Sequence, residues 1–359
     1  MFMKKSFDEV FVDNTKYCTK IKTSDYFEQG EYAIIDQGQN QIAGYTSLQE
    51  GVFNDVPAII FGDHTRIIKY IDEPFFIGAD GVKVLKSKLP NSNYKYLYYA
   101  LKNAEIPNTG YNRHFKWLKE VEISYPSTKR QDEIVKILDE VVSIIDCRKQ
   151  QLQQLDELVK ARFVELFYSS NEVVRLDSLI KPYRAVKCGQ NTYPVLSITM
   201  HNGLVLQSER FKKEIASGDK SQYKVVPRNK LVVAFPIDEG LLSAQTIVDV
   251  GIVSPAYSLY DIDENKIYPE VLEYILRSDL SIQYYKSKLR GTTLRRRMIP
   301  KSDFDSMPIN LPSIDRQKQF LNEIKEIDKS KFVQQNINEK IQFIFDFLMK
   351  NILAEVKND

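Results

Sequence analysis

The feature that most constrains this chain is a long helical pattern that occurs twice. Residues 118–131 (LKEVEISYPSTKRQ) and 304–317 (FDSMPINLPSIDRQ) share an identical Pro-Ser and Arg-Gln at a constant separation of 186 positions. After each segment, apolar residues recur at alternating steps of four and three, which is the pattern of a coiled-coil seam. The two seams are Ile134, Leu138, Val141, Ile145, Arg148, Leu152, Leu155, Val159, Arg162 and Leu166, and then Phe320, Ile324, Ile327, Lys331, Gln334, Asn338, Ile341, Phe345, Leu348 and Ile352.

The segments before the two helices also correspond, although more loosely. Residues 7–10 (FDEV) resemble 176–179 (LDSL), and residues 96–101 (YLYYAL) resemble 271–276 (VLEYIL). The order along the chain is therefore globular head, helix, globular head, helix. We predict domains at 1–126 (first head), 127–168 (central helix), 169–312 (second head) and 313–359 (C-terminal helix).

Each head mixes short β-branched and aromatic runs with one helix near its end. Strands are predicted at 32–36, 56–61, 65–70 and 81–85 in the first head, and at 193–198, 230–235, 251–253 and 256–261 in the second. The helices are predicted at 94–103 and 269–276. The predicted fold class is α+β: two similar α+β domains joined by two long helices that carry matching coiled-coil seams, as a tandem pseudo-symmetric repeat.

Composition indicates an ordinary globular protein. The 50 Lys and Arg nearly balance the 48 Asp and Glu, which excludes a grossly basic nucleic-acid coat protein but allows local basic patches. Cys18, Cys147 and Cys188 match no metal-ligand spacing and form no disulfide framework, which favours a reducing compartment. The start lacks the apolar core of a signal peptide, and no apolar run approaches the ~20 residues that span a bilayer. We expect a soluble, cytoplasmic protein.

Positive charge is concentrated in two loops at equivalent places, just before each long helix. Residues 286–301 (KSKLRGTTLRRRMIPK) carry seven cations and no acid, and residues 106–119 (IPNTGYNRHFKWLK) also carry no acid. Cations neutralise DNA phosphates, while Arg, Asn and Gln can read base edges. Two alternatives to a DNA-binding role are that these loops are merely solvated or that they bind an acidic protein partner. The residues that we expect to contact DNA are Gln37, Gln39, Asn40, Gln41, His64, Arg66, Tyr111, Asn112, Arg113, His114, Lys116, His201, Asn202, Lys288, Arg290, Thr292, Thr293, Arg295, Arg296 and Arg297.

Signals for catalysis are weak. The sequence has no GxxxxGK[ST] loop, no GxGxxG after a strand and no GxSxG elbow. The three histidines lack a third ligand at a telling spacing, so a DNA contact or a structural hydrogen bond is favoured over zinc. Asp261, Glu264 and Lys266 are the nearest approach to a nuclease acid–acid–Lys set, and a turn of mixed charge explains them better.

These residues resemble one known family, the specificity (S) subunit of type I restriction–modification systems. The pattern Pro-Ser-x-x-Arg-Gln-x-x-Ile at 126–134, with its second copy, is similar to the start of the family's repeated helical regions. In the first head, 58–66 (AIIFGDHTR), 78–81 (GADG) and 110–114 (GYNRH) resemble one type of target-recognition domain. In the second head, 251–257 (GIVSPAY) resembles another.

The resemblance implies a DNA-binding subunit without catalysis or a cofactor of its own. Each target-recognition domain would read one half of a bipartite, asymmetric site in double-stranded DNA. The two long helices would form an antiparallel coiled coil that holds the heads apart and sets the unread spacer. Two modification (methyltransferase) subunits would supply S-adenosylmethionine, and restriction subunits would supply ATP and Mg, with no membrane involved. Two alternatives stay open: the specificity subunit of a related system with fused methylation and cleavage, and a coiled-coil protein-binding scaffold without a DNA role.

Overall fold

The computed structural model describes residues 3–78, 80–168, 172–200, 202–210, 219–289 and 299–355. The chain divides into two compact units. Unit 1 comprises Met1–Gln151 and Val333–Asp359, and unit 2 comprises Leu152–Phe332. Each unit therefore holds one head together with about half of each long helix.

Helices and strands alternate through both heads. The helices are α1 (Phe7–Val10), α2 (Tyr94–Lys102), α3 (Phe115–Leu118), α4 (Thr128–Tyr168), α5 (Gln207–Arg210), α6 (Pro269–Leu276), α7 (Asp279–Lys288), α8 (Lys301–Asp305) and α9 (Ile314–Glu355). The strands are β1 (Met3–Ser6), β2 (Phe11–Asp13), β3 (Tyr32–Ile35), β4 (Gly44–Thr46), β5 (Ala58–Gly62), β6 (Ile68–Ile71), β7 (Phe75–Ile77), β8 (Val82–Ser87), β9 (Glu122–Tyr125), β10 (Val173–Arg175), β11 (Ile180–Pro182), β12 (Leu196–Thr199), β13 (Gly203–Leu206), β14 (Lys224–Pro227), β15 (Lys230–Val233), β16 (Leu242–Ala244), β17 (Val250–Val253), β18 (Ser258–Ile262) and β19 (Pro308–Asn310).

The first head is built on an antiparallel sheet with strand order β2-β8-β5-β6. Its strand β5 is buried on both faces, because successive side chains of a strand point to opposite sides. Ile59 and Phe61 join the apolar core that contains α2 and the long helices, whereas Ala58 and Ile60 join a second core on the other side. A smaller sheet, β4-β3-β7, completes the head, with β3 and β7 parallel.

The second head repeats this plan. Its antiparallel sheet has the order β11-β18-β15-β16, which matches the first head strand for strand. Leu231 and Val232 of β15 again face two separate cores. Two antiparallel two-stranded pairs, β12-β13 and β14-β17, take the place of the small sheet. The predicted α+β class and the predicted duplication of the heads are confirmed.

A short strand pair closes each head where the chain enters and leaves it. In unit 1, β1 pairs with β9, and in unit 2, β10 pairs with β19, both antiparallel. These strands were not predicted, and neither were β2, β4, β7, β11, β13, β14 and β16. Two predicted strands also begin too early. The strand predicted at 193–198 starts at Leu196, and the strand predicted at 65–70 starts only at Ile68, because Thr65 and Arg66 form a turn in which Arg66 has φ +62°.

The predicted long helices are present as α4, with 41 residues, and α9, with 42 residues. Within unit 2 they run antiparallel, because Asp156 pairs with Lys331 (2.5 Å) while Arg162, further along α4, pairs with the earlier residue Glu323 (2.7 Å). Within unit 1, Ile134 and Leu138 share one apolar core with Phe345 and Met349. Every predicted seam position is buried or half-buried, which confirms the seam.

Among the residues that the structure describes, no helix is both long enough and apolar enough to cross a membrane.

Candidate nucleic-acid interface

Four of the predicted residues come together on the first head, and we call Gln37, His64, Tyr111 and Arg113 the first-head cluster. The Gln37 amide oxygen accepts a hydrogen bond from the His64 backbone N–H (3.2 Å), and its Nε2 donates to the Asp80 carbonyl (3.2 Å). The His64 ring stacks on the Tyr111 ring with centroids 4.8 Å apart and planes only 12° from parallel. Three loops that are distant in sequence thus meet at one surface.

The first-head cluster presents groups suited to a nucleic acid. Tyr111 is 87% exposed, so one face of its ring covers His64 while the rest is open. The Arg113 side chain is 80% exposed, and its Nε lies 4.0 Å from the Asp63 carboxylate. His64 Nδ1 is buried and has no hydrogen-bond partner within the described part of the chain. The surface therefore combines an open aromatic face with an exposed guanidinium.

His114 does not belong to that surface, contrary to its predicted role as a DNA contact. It is fully buried, and its Nδ1 lies 3.0 Å from the Asp63 carbonyl oxygen. The same carbonyl accepts the His114 backbone N–H (2.8 Å), while the Asp63 carboxylate accepts the Phe115 N–H (2.7 Å). The imidazole is thus held by the turn between β5 and β6. It anchors the loop 106–114, on which Tyr111 and Arg113 are exposed.

Other predicted residues also hold loops in shape. Arg66 Nη1 donates to the Ile106 carbonyl (3.1 Å), and the Asn112 side chain donates to the Thr109 carbonyl. Gln41 Nε2 donates to the Tyr70 carbonyl (2.8 Å). Since these donors are occupied by the backbone, they position the loops. The remaining members of the predicted set in this head, Gln39, Asn40 and Lys116, are exposed.

A buried ion pair beneath the loop 36–41 was not anticipated. Lys69 is almost fully buried, and its Nζ lies 3.3 Å from the Asp36 carboxylate and donates to the Asn40 carbonyl (2.6 Å). Burial lowers the pKa of Lys69, and the attraction of Asp36 opposes that shift. The sequence gives little indication of this ion pair, since a lysine within an Ile-Lys-Tyr-Ile strand would be predicted to face solvent.

In the second head, the predicted residue Asn202 lies exposed at the turn between β12 and β13. The side chain of Arg277, at the end of α6, holds this hairpin. Its Nη2 donates to the Met200 carbonyl (2.7 Å), and the guanidinium also pairs with Glu273 (2.8 Å). Lys288 is exposed at the end of α7, with its Nζ 5.9 Å from the centre of the Tyr284 ring.

The other predicted contacts of the second head lie outside the described residues. They are His201, Arg290, Thr292, Thr293, Arg295, Arg296 and Arg297.

The described residues contain no group of three or more His, Cys, Asp or Glu that could hold a metal ion. The acidic residues near position 261 have separate partners: Asp261 pairs with Lys230 (2.7 Å), Glu264 accepts from Asn229 (2.7 Å), and Asp263 pairs with Lys266 (3.2 Å). The Cys18 thiol is half-buried, and that burial raises its pKa to about 12, which makes it a poor nucleophile.

A second surface of interest lies on α9 within unit 1. Phe343 is 72% exposed, Phe347 is 59% exposed, and Ile344 between them is about half exposed. Residues four apart share one face of a helix. We call Phe343, Ile344 and Phe347 the α9 apolar patch. Clustered exposed aromatics of this kind mark interaction sites more often than isolated apolar residues do.

Comparisons of sequence and of fold point to the same group of proteins. Residues 2–157 match the family model described as type I restriction modification DNA specificity domain. The type I restriction–modification S subunit from M. genitalium is similar in structure with a TM-score of 0.53 and 14% identity, over 98% of this chain and 96% of that one. A chain solved in a study of complex assembly and conformational transition of the type I R-M system has a TM-score of 0.58 and 11% identity, over 98% and 97%.

At these identities the structural likeness is one of fold. No curated protein sequence matches the chain. Residues 2–157 thus match the family model for the type I restriction modification DNA specificity domain, and nearly the whole chain has the fold of the S subunits of these systems.

Proposed function

We propose that the chain is the DNA-recognition subunit of a type I restriction–modification complex, in which each head reads one half of a bipartite, asymmetric site. The observation that carries this proposal is the duplicated head. Both heads have the same four-stranded sheet order and the same closing strand pair, but their loops differ in sequence. Two copies of one scaffold with different loops suit two different half-sites.

The long helices would set the distance between the half-sites and bind the partner subunits. A helix of 41 residues is about 60 Å long at its usual rise, and one turn of B-DNA is about 34 Å. The α9 apolar patch is a suitable contact for one of two modification subunits. Those subunits would carry S-adenosylmethionine and methylate adenine, and restriction subunits would supply ATP hydrolysis and Mg-dependent cleavage. We assign this chain no catalytic step and no cofactor.

The deciding experiment is a genome-wide map of methylated adenines in the source strain, with and without this gene. We expect a gapped, two-part motif that disappears on deletion and returns on complementation. An unchanged methylation pattern, together with no copurifying modification subunit, would contradict the proposal and favour a protein-binding scaffold.

The DNA affinity of the assembled complex should fall steeply with salt. Each cation that neutralises a phosphate displaces a counterion, so Arg113→Ala should reduce the slope of log K against log[salt] by about one if Arg113 contacts a phosphate. If Arg113 instead reads a base, its loss should weaken binding by about 1–3 kcal/mol and relax the sequence specificity at one position of one half-site.

Arg296→Ala should act in the same way on the other half-site. Lys149→Ala, on the exposed side of α4, is the control, and a salt-independent affinity would contradict the role of the cationic loops.

Tyr111→Ala should weaken target binding by about 1–3 kcal/mol, which is the worth of one base–aromatic stack. The open face of Tyr111 suits a base that has lost its partner, as happens when a methyltransferase flips the neighbouring nucleotide out of the duplex. Tyr111→Phe keeps the ring and should bind nearly as well as the unaltered protein. Fluorescence anisotropy with a labelled target measures both variants. Equal losses for the two variants would mean that the hydroxyl, and not the ring face, is used.

A further inference from the structure

The one buried polar side chain that both repeats place at the start of their long helix is a glutamine. Gln131 is the fourth residue of α4 and Gln317 the fourth residue of α9. Both side chains are fully buried, beside the fully buried apolar residues Ile134 in unit 1 and Phe320 in unit 2. A buried amide is stabilising only when its donor and acceptor groups are satisfied.

In unit 1 the Gln131 amide connects the long helix to the head. Its Nε2 donates to the Pro126 carbonyl (2.9 Å), in the turn that leads from β9 into α4. Its Oε1 accepts the backbone N–H of Asn93 (3.2 Å), the residue that caps the start of the head helix α2.

In unit 2 the Gln317 amide makes the same connection. Its Nε2 donates to the Pro312 carbonyl (2.9 Å) and to the Lys266 carbonyl (2.9 Å). Its Oε1 accepts the backbone N–H of Tyr268 (2.9 Å), the residue at the N-cap position of the head helix α6. Two halves that share little other sequence thus use one amide in one geometry.

A second polar contact between head and helix in unit 1 does not recur at the equivalent position of α9. In unit 1, Asp139 of α4 pairs with Lys95 (2.6 Å) and accepts from the Tyr99 hydroxyl (2.7 Å). The equivalent position in α9 is Lys325, which reverses the charge. The glutamine, in contrast, makes the same contact in both units, although their heads differ.

We propose that Gln131 and Gln317 are positioning residues that hold each head at one angle to its long helix and so restrict the complex to one spacer length. This inference rests on the proposed function. Apolar packing alone tolerates small rotations, whereas a satisfied buried polar network is directional and specifies one arrangement. One extra base pair shifts the second half-site by about 3.4 Å and rotates it by roughly 34°, so a small freedom at either joint changes which spacers fit.

The test uses the complex reconstituted with its modification subunits. Methyl transfer is measured on duplexes whose two half-sites are separated by the natural spacer or by one or two base pairs more or fewer. Gln131→Met and Gln317→Met preserve side-chain volume but remove the amide. We expect methylation at the neighbouring spacers, relative to the natural one, to rise by about threefold to tenfold, the factor that one or two lost hydrogen bonds would carry. Gln150→Met, at an exposed position of α4, should leave the ratio unchanged.

A structural role alone would reduce methylation at every spacer by the same factor, and that result would overturn the inference. The unaltered complex provides the separate check on the proposed function, because it must methylate a gapped target at one spacer length. Failure there overturns the proposed function, whereas an unchanged spacer ratio in the variants overturns only the inference. Thermal unfolding is followed for each variant, and should Gln131→Met not fold, Gln317→Met makes the same test in the other unit.

Discussion

Phe343→Glu combined with Phe347→Glu should reduce binding of the modification subunit by more than about a hundredfold. Both rings are largely exposed on one face of α9, together with Ile344. Burying a phenylalanine side chain in an interface contributes about 1.5–3 kcal/mol, and a buried, unpaired carboxylate costs more than the ring contributed. The double variant should still fold, because neither ring belongs to the apolar core of unit 1, where Phe345 and Met349 are buried.

The measurement is the affinity of the purified modification subunit for this chain, by calorimetry or analytical ultracentrifugation. A matched control is Gln335→Glu with Asn336→Asp, which adds two carboxylates at exposed positions of the same helix and removes no aromatic ring. Loss in both double variants would mean that charge repulsion decides binding. Unchanged affinity in the phenylalanine variant would move the docking site away from the α9 apolar patch.

The duplicated architecture was predictable because two independent signals coincide. The Pro-Ser and Arg-Gln pairs and the seams share one register, and each signal alone is weak. The structure explains both signals. The apolar seam residues pack the two helices together within each unit, and the repeated glutamine connects each helix to its head by hydrogen bonds. Strand β5 was predictable for a similar reason, since a run of buried apolar residues is typical of a strand covered on both faces.

The closing strand pairs could not be predicted from local patterns. Strand β1 reads Met-Lys-Lys-Ser, without alternation, and its partner β9 follows more than a hundred residues later. Strand pairing at such a separation is decided by the fold of the intervening head, so the local sequence of either strand gives almost no indication of it. The predicted strand at 65–70 failed at its start because a left-handed turn at Arg66 interrupts a run that is otherwise rich in isoleucine.

The residues of the candidate site were chosen by their chemical type, and the sequence could not say which of them lie together. Charge and hydrogen-bonding capacity pointed to three loops that the fold brings together at one surface, since Gln37, His64, Tyr111 and Arg113 come from them. His114, in the same loop as Arg113, is instead a buried anchor. Its hydrogen-bond partner is the Asp63 carbonyl, 51 residues earlier in the chain. A contact over that separation leaves no local sequence pattern from which it could be predicted.

Deleting one heptad from each long helix, residues 149–155 of α4 and 332–338 of α9, should abolish methylation of the natural target. The register of the Asp156–Lys331 pair defines these matched segments, and removing seven residues from both preserves the seam. The helix pair becomes shorter by about 10 Å, which is about three base pairs of DNA. Three base pairs also rotate the duplex by roughly 100°, and the deletion does not supply that rotation. The natural spacer should therefore no longer fit both heads.

The assay is methylation of a spacer library by the reconstituted complex, with binding to single half-sites measured in parallel. Half-site binding should persist, because each head retains its sheet, its closing strands and its glutamine joint. Alanine at the exposed positions of the same two heptads, without deletion, is the control and should keep the natural spacer. If the shortened chain still methylates the natural target with its original spacer, the helices do not measure the distance between the half-sites. The spacing would then have to be set by the partner subunits.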